Sequence, residues 1–162
     1  MIRKLIDEIT IALHEGLYLV ALSAALTLPD VCGKAEYPNE KTGKRYKNWC
    51  TQYVKNAGLP ADTIYALRCS LLHEGSAEAK TENNFSFRLM TNALTQPYGM
   101  HFCTQLKTTH ADGTSEIKVM VYVGFLCTVI CAAAMEYYEQ NKNKFDFLNY
   151  SIPDLASDFE IR

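Results

Sequence analysis

The chain has almost no charge imbalance: 16 lysines and arginines stand against 18 acids, a formal net charge of −2 over 162 residues. That argues against a protein that coats nucleic acid through bulk electrostatics, so any nucleic-acid contact would have to be local. Long apolar runs are also missing. Residues 16–28 are uncharged but too short to span a bilayer. Residues 119–135 reach the lower length limit, yet they open on the β-branched run Val119-Met120-Val121-Tyr122-Val123 and are interrupted by Gly124. This predicts a buried strand followed by a buried helix rather than a membrane span. Residues 1–10 mix charge and aliphatics without an apolar core or a small-residue cleavage site, so no signal peptide is expected. The six cysteines include no Cys-x-x-Cys pair, and Cys127 and Cys131, one helical turn apart, have no histidine nearby. Reduced, buried thiols in a cytoplasmic protein are expected over disulfides or zinc. His14, His101 and His110 are scattered without metal-ligand spacing, and no metal or cofactor site is expected.

What is present is a sequence of mainly helical period, long enough for one domain over residues 1–162. A first helix is expected over about 2–28, with Leu5, Ile9, Leu13, Leu17, Val20 and Ala24 inward and Pro29 stopping it. Residues 29–42 read as a polar connection and 43–56 as a second helix ending at Gly58-Leu59-Pro60. A third helix over 62–75 is capped by Asp62 or Thr63. The period then changes. Strands are expected at 85–89, 101–108 and 115–123, with Asp112-Gly113 turning the last two into a hairpin. The closing helix covers about 125–142, and a short element lies near 153–158. The expected fold is mainly α, a bundle of four to five helices with a small antiparallel sheet, about 83–123, inserted before the last long helix.

The third helix is the most informative. Ile64, Tyr65, Ala66, Leu67, Cys69, Leu71 and Leu72 cover its circumference, leaving Arg68, Ser70 and His73 as strongly polar interior side chains. A helix apolar all round is buried on more than one side, and a guanidinium there costs free energy unless paired. On regular α-helical geometry Arg68 and His73 lie roughly 140° apart around the axis. One helix therefore brings them together only if the arginine swings. A second copy packed across a two-fold axis could also do so, which predicts a homodimer with this helix at or near the interface.

An Arg, four residues and a His near the end of an apolar helix resemble the signature of the HEPN superfamily. The Leu28-Pro29-Asp30-Val31-Cys32-Gly33 segment, the Gly43-Lys44-Arg45-Tyr46 opening of the next helix, and Leu67–Gly75 are similar to one uncharacterised branch of that group. The resemblance implies a helical, dimeric, metal-independent ribonuclease of toxin or defence type, possessing a composite site and in some systems an antitoxin protein. Two positions depart from it. Many members carry Asn after the Arg, where this chain has Cys69. Members modified by a nucleotidyltransferase carry Tyr two after the His, where this chain has Gly75.

In the catalytic reading His73 exchanges protons with the ribose 2′-hydroxyl and the leaving oxygen, and Arg68 holds the phosphate. In the structural reading Arg68 pairs a buried carboxylate and His73 caps a helix end. Asp30 is the expected partner of Arg68, although a turn-forming role is equally open. Glu74 could orient His73 or face solvent. Ser70 could contact phosphate or bond to its own backbone. Lys44, Arg45 and Lys47 are the expected RNA-binding residues, in a cluster with Lys41 and Lys55. Tyr46, Trp49 and Tyr53 beside them form either a core stripe or a stacking platform. Gly33 and Gly43-Lys44 fail as a phosphate-binding loop, because Pro38 and Arg45 occupy its required positions. An endoribonuclease is expected. A non-catalytic module binding RNA or protein, or a structural helical domain, is the alternative.

Overall fold

The computed structural model describes residues 1–76, 78–80, 84–91 and 103–148. The short element near 153–158 and the start of the strand at 101 lie outside these residues. The chain is mainly helical with a small sheet before the last long helix, as the periodicity predicts. Helices α1 (Ile2–His14), α2 (Tyr18–Ala25), α3 (Leu28–Glu36), α4 (Thr42–Tyr53) and α5 (Ala61–Cys69) precede it. Strands β1 (Glu78–Lys80), β2 (Asn84–Met90), β3 (Thr104–Thr109) and β4 (Ser115–Tyr122) follow, and α6 (Val123–Gln140) runs back along α1, α2 and α3.

The single first helix expected over 2–28 is divided. Gly16, at φ +72°, stops α1: its N–H donates to the Leu13 carbonyl at 3.2 Å and that of Leu17 to Ala12 at 2.8 Å. This paired C-terminal bonding needs a left-handed residue, which glycine adopts freely. Within α1 the expected stripe holds, with Ile9 buried and Leu5 and Leu13 packed against the core, but past the break Leu17 is 53% and Val20 60% exposed while Ala21 and Leu22 are buried instead. Pro29 does not end a helix. It sits in the first turn of α3, where a missing N–H costs nothing, so much of the expected polar connection is helical.

The sheet is four-stranded and mixed, in the order β1-β2-β4-β3, rather than three-stranded and antiparallel. The Asp112-Gly113 hairpin forms as expected, with the Asp112 carboxylate accepting from the Thr114 N–H at 2.9 Å and Gly113 at φ +83°. β4 then inserts between β3 and β2, which makes it parallel to β2, with Phe87 opposite Val119. Buried Phe85, Phe87, Val119 and Val121 alternate inward. β4 ends at Tyr122 and α6 begins at once. Among the described residues no helix is long and apolar enough to cross a membrane.

Tyr46 and Trp49 are fully buried, which assigns the aromatic face of α4 to the core. Trp49 meets Tyr53 at 5.4 Å and Tyr137 of α6 at 5.9 Å between ring centroids. Where α3 and α6 converge, Glu36 Oε2 accepts from the Tyr137 hydroxyl at 2.7 Å and Lys144 Nζ at 2.6 Å. The Lys144 bond, ahead of the opposing effect of burial, holds Glu36 below the ordinary glutamate value of 4.5. A carboxylate with a depressed folded-state pKa stabilises above its unfolded value, and that contribution disappears as pH falls through the folded one. The unfolding midpoint should therefore drop as pH is lowered beneath 4.5. Glu36→Gln should be less stable at neutral pH and should flatten that part of the profile, as read by thermal denaturation from pH 7 to 3.

Candidate functional site

The N-terminal end of α3 and the C-terminal end of α5 bring Asp30, Arg68 and His73 together. Arg68 donates to one oxygen of Asp30 twice, from Nε at 3.0 Å and from Nη2 at 2.8 Å. Both side chains are largely buried, 15% and 18% exposed. Asp30 is thus the partner that the sequence suggested, and its place in the first turn of α3 adds a favourable helix-end field. Burial on its own would lower the Arg68 pKa. The charge and hydrogen bonds of Asp30, with a smaller contribution from nearby Cys69, outweigh it and raise Arg68 above its ordinary value.

The remaining amine of the guanidinium, Nη1, contacts His73 Nε2. Regular α-helical geometry would hold these residues well apart. The helix instead widens after Cys69 into a π turn, Ser70–Glu74. Its closing bonds run from residue i to i+5, so each residue winds less than in an α-helix and His73 comes round over Arg68. The pair therefore forms within one chain. Because a guanidinium has no acceptor, His73 Nε2 must be the lone-pair nitrogen in this contact, which puts the ring proton on Nδ1. The imidazole itself is exposed.

Two contacts here were not anticipated. Cys69, standing where the resembling sequences carry Asn, lies near both the Arg68 guanidinium and the Tyr65 hydroxyl and contributes to raising the pKa of each, behind Asp30 for Arg68 and behind burial for Tyr65. Tyr65 packs on buried Tyr46 at 5.2 Å and reaches over Gly43, where a Cβ would stand 2.8 Å from its hydroxyl. Gly43 is small to admit Tyr65, and Gly33 to admit the Arg45 carbonyl, 2.9 Å from a Cβ placed there. The only sequence signal for Tyr65 is its position three residues before Arg68, on the same face.

Other expected site residues are elsewhere. Ser70 is 1% exposed and its hydroxyl donates to the Ser76 carbonyl at 3.0 Å, so it faces backbone and not a ligand. Glu74 is exposed and has no hydrogen bond to His73 among the described residues. Asp62 and Thr63 do not cap α5, whose N-cap is Pro60. Asp62 pairs with Lys47 at 2.9 Å, and the Thr63 hydroxyl donates to Gln105 Oε1 at 3.0 Å, tying α5 to β3. Lys44 and Lys47 do line one groove, about 560 Å³, between α4 and α5, together with Lys41, Asn48 and Tyr65. Lys44 is paired with Glu40 at 2.8 Å. Arg45 is not among the groove residues; its Nε is buried and unpartnered among the described residues.

No family model, curated protein or solved structure matches this chain. The six cysteines are free, five of them buried and Cys69 half-buried.

Proposed function

We propose that this chain is a metal-independent endoribonuclease of HEPN type. One observation carries the reading: a guanidinium anchored from behind by Asp30 contacts an exposed imidazole through its outer amine. That arrangement puts a fixed positive charge and a proton acceptor at one point of the surface, the two groups that cleavage by a neighbouring hydroxyl requires.

A phosphodiester approaching Arg68 takes over the Nη1–H donor and frees His73 Nε2. His73 then accepts the 2′-hydroxyl proton while that oxygen attacks the adjacent phosphorus. Arg68 offsets the charge gained by the phosphoryl oxygens; the 5′-oxygen leaves with a proton taken from water, and His73 gives up the 2′-hydroxyl proton to solvent. The products are a 2′,3′-cyclic phosphate and a 5′-hydroxyl. Lys41, Lys44 and Lys47 hold the flanking strand, since exposed ion pairs such as Lys44–Glu40 are weak enough to be exchanged for phosphate. A homodimer, an antitoxin partner, a cytoplasmic location and a role in defence belong to this proposal through the HEPN resemblance. With the pair completed inside one chain, the dimer is not needed to bring the two groups together.

The test is cleavage of a broad RNA pool in the presence of chelator. Products ending in cyclic phosphate, survival of DNA of the same sequence, and a loss of about 10²-fold or more in His73→Ala are expected. Strict dependence on magnesium, or full activity in His73→Ala, would defeat the proposal. Tight RNA binding without cleavage by folded protein would favour a non-catalytic RNA-binding module instead.

A further inference from the structure

Three hydrogen bonds tie Ser70 to residues 75 and 76. Its carbonyl accepts from the N–H groups of Gly75, in the five-residue closure that defines the π turn, and of Ser76, at 3.0 Å. Its hydroxyl donates back to the Ser76 carbonyl at 3.0 Å, in preference to the more distant Leu67 carbonyl at 3.5 Å. Gly75, at φ +59°, reverses the chain so that Ser76 can meet residue 70 twice. The Ser70 side chain is 1% exposed. Isolated π turns are less favourable than continued α-helix and persist where local bonds hold them. Here the side chain supplying such a bond is three residues from His73, and the wide turn is what carries the imidazole over Arg68. A serine in a helix ordinarily bonds three or four residues back along its own turn. Directing the hydroxyl forward, to residue 76, fastens the helix end to the strand-bound chain that follows.

We infer that Ser70 is a positioning residue, whose hydroxyl locks the π turn and so keeps His73 Nε2 on Arg68. The inference rests on the ribonuclease reading only for its consequence in catalysis; the placement of His73 can be tested by itself. With the lock closed, His73 is held in one neutral tautomer, protonated on Nδ1, because Nε2 faces a group that can only donate. With the lock opened, the exposed ring turns freely and both tautomers exchange.

Long-range proton–nitrogen spectra of the imidazoles read this directly, with the His73 signals identified by their disappearance in His73→Ala. Wild-type protein at neutral pH should show a fixed Nδ1–H tautomer for His73. In Ser70→Ala, and in Ser70→Cys, which retains side-chain volume but replaces the hydroxyl with a weak donor, the two nitrogen shifts should move toward each other. The other histidines should not respond. If cleavage is observed, the same variants should lower kcat about tenfold or more with KM nearly unchanged. A wild-type ring without the Nδ1–H tautomer would overturn the inference, as would variants whose His73 shifts match wild type. Loss of fold in both variants would also overturn it, by making Ser70 a residue of general stability. Absence of cleavage with the expected shift changes would overturn the ribonuclease reading alone.

Discussion

Arg68→Ala should be among the most destabilising substitutions in this chain, by about 2–4 kcal/mol. Both oxygens of Asp30 depend on this outcome. Oδ2 holds the two Arg68 bonds, and Oδ1 is buried without a partner among the described residues. Removing the guanidinium strands a carboxylate that is only 18% exposed, against fully buried Tyr46 and Cys50. Breaking one side of a buried pair costs more than the pair contributes. Asp30→Ala combined with Arg68→Ala should therefore lose less than the sum of the singles, a coupling of about 1 kcal/mol or more. His73→Ala should be nearly silent, because the ring is exposed. Urea midpoints of wild type and these four variants decide this. Additive losses, or an Arg68→Ala midpoint equal to wild type, would mean that the pair is not a structural unit. One practical consequence follows for activity: Arg68→Ala confounds catalysis with folding, whereas His73→Ala does not.

Gly58→Ala should cost about 3 kcal/mol. The residue stands at φ +73° in the connection from α4 to α5, a conformation unfavourable for any side chain. A Cβ there would lie 2.2 Å from the Cys103 carbonyl oxygen, a backbone atom at the entry to β3 that no rotamer change can move. Gly58→Asn separates the two causes. Asparagine tolerates left-handed backbone, as Asn56 does in this same connection at φ +61°. If the steric contact dominates, Gly58→Asn should be as damaging as Gly58→Ala, and Asn56→Gly close to neutral. Near wild-type thermal midpoints for Gly58→Asn would show that conformation alone accounts for the effect.

Element type was legible wherever local pattern and packing agree. The Asp112-Gly113 hairpin, the turn from strand to helix near Gly124 and the end of α4 before Gly58 all follow from short-range chemistry. The errors have equally specific origins. Reading one helix through Gly16 treated a glycine between two apolar runs as tolerated, when two backbone bonds make it a terminus. Treating Pro29 as a stop neglected its compatibility with a first helical turn. The parallel pairing of β2 and β4 was not visible, since strand order depends on which edge β4 occupies and alternation is the same for either.

The same division runs through the site. By itself the sequence determined that Arg68 lies in an apolar helix and needs a partner, that Asp30 is a suitable one, and that the helix ends at Gly75. Each is a statement about burial cost, charge or one residue's allowed backbone, and each is local. Only the tertiary structure decided that α3 brings Asp30 to Arg68, that Tyr65 packs on Tyr46 and over Gly43, and that a π turn held by Ser70 and Ser76 carries His73 over the guanidinium. A regular helix and a widened one have the same residues in the same order. Which forms depends on bonds to a segment beyond the helix, and those exist only when the chain is folded.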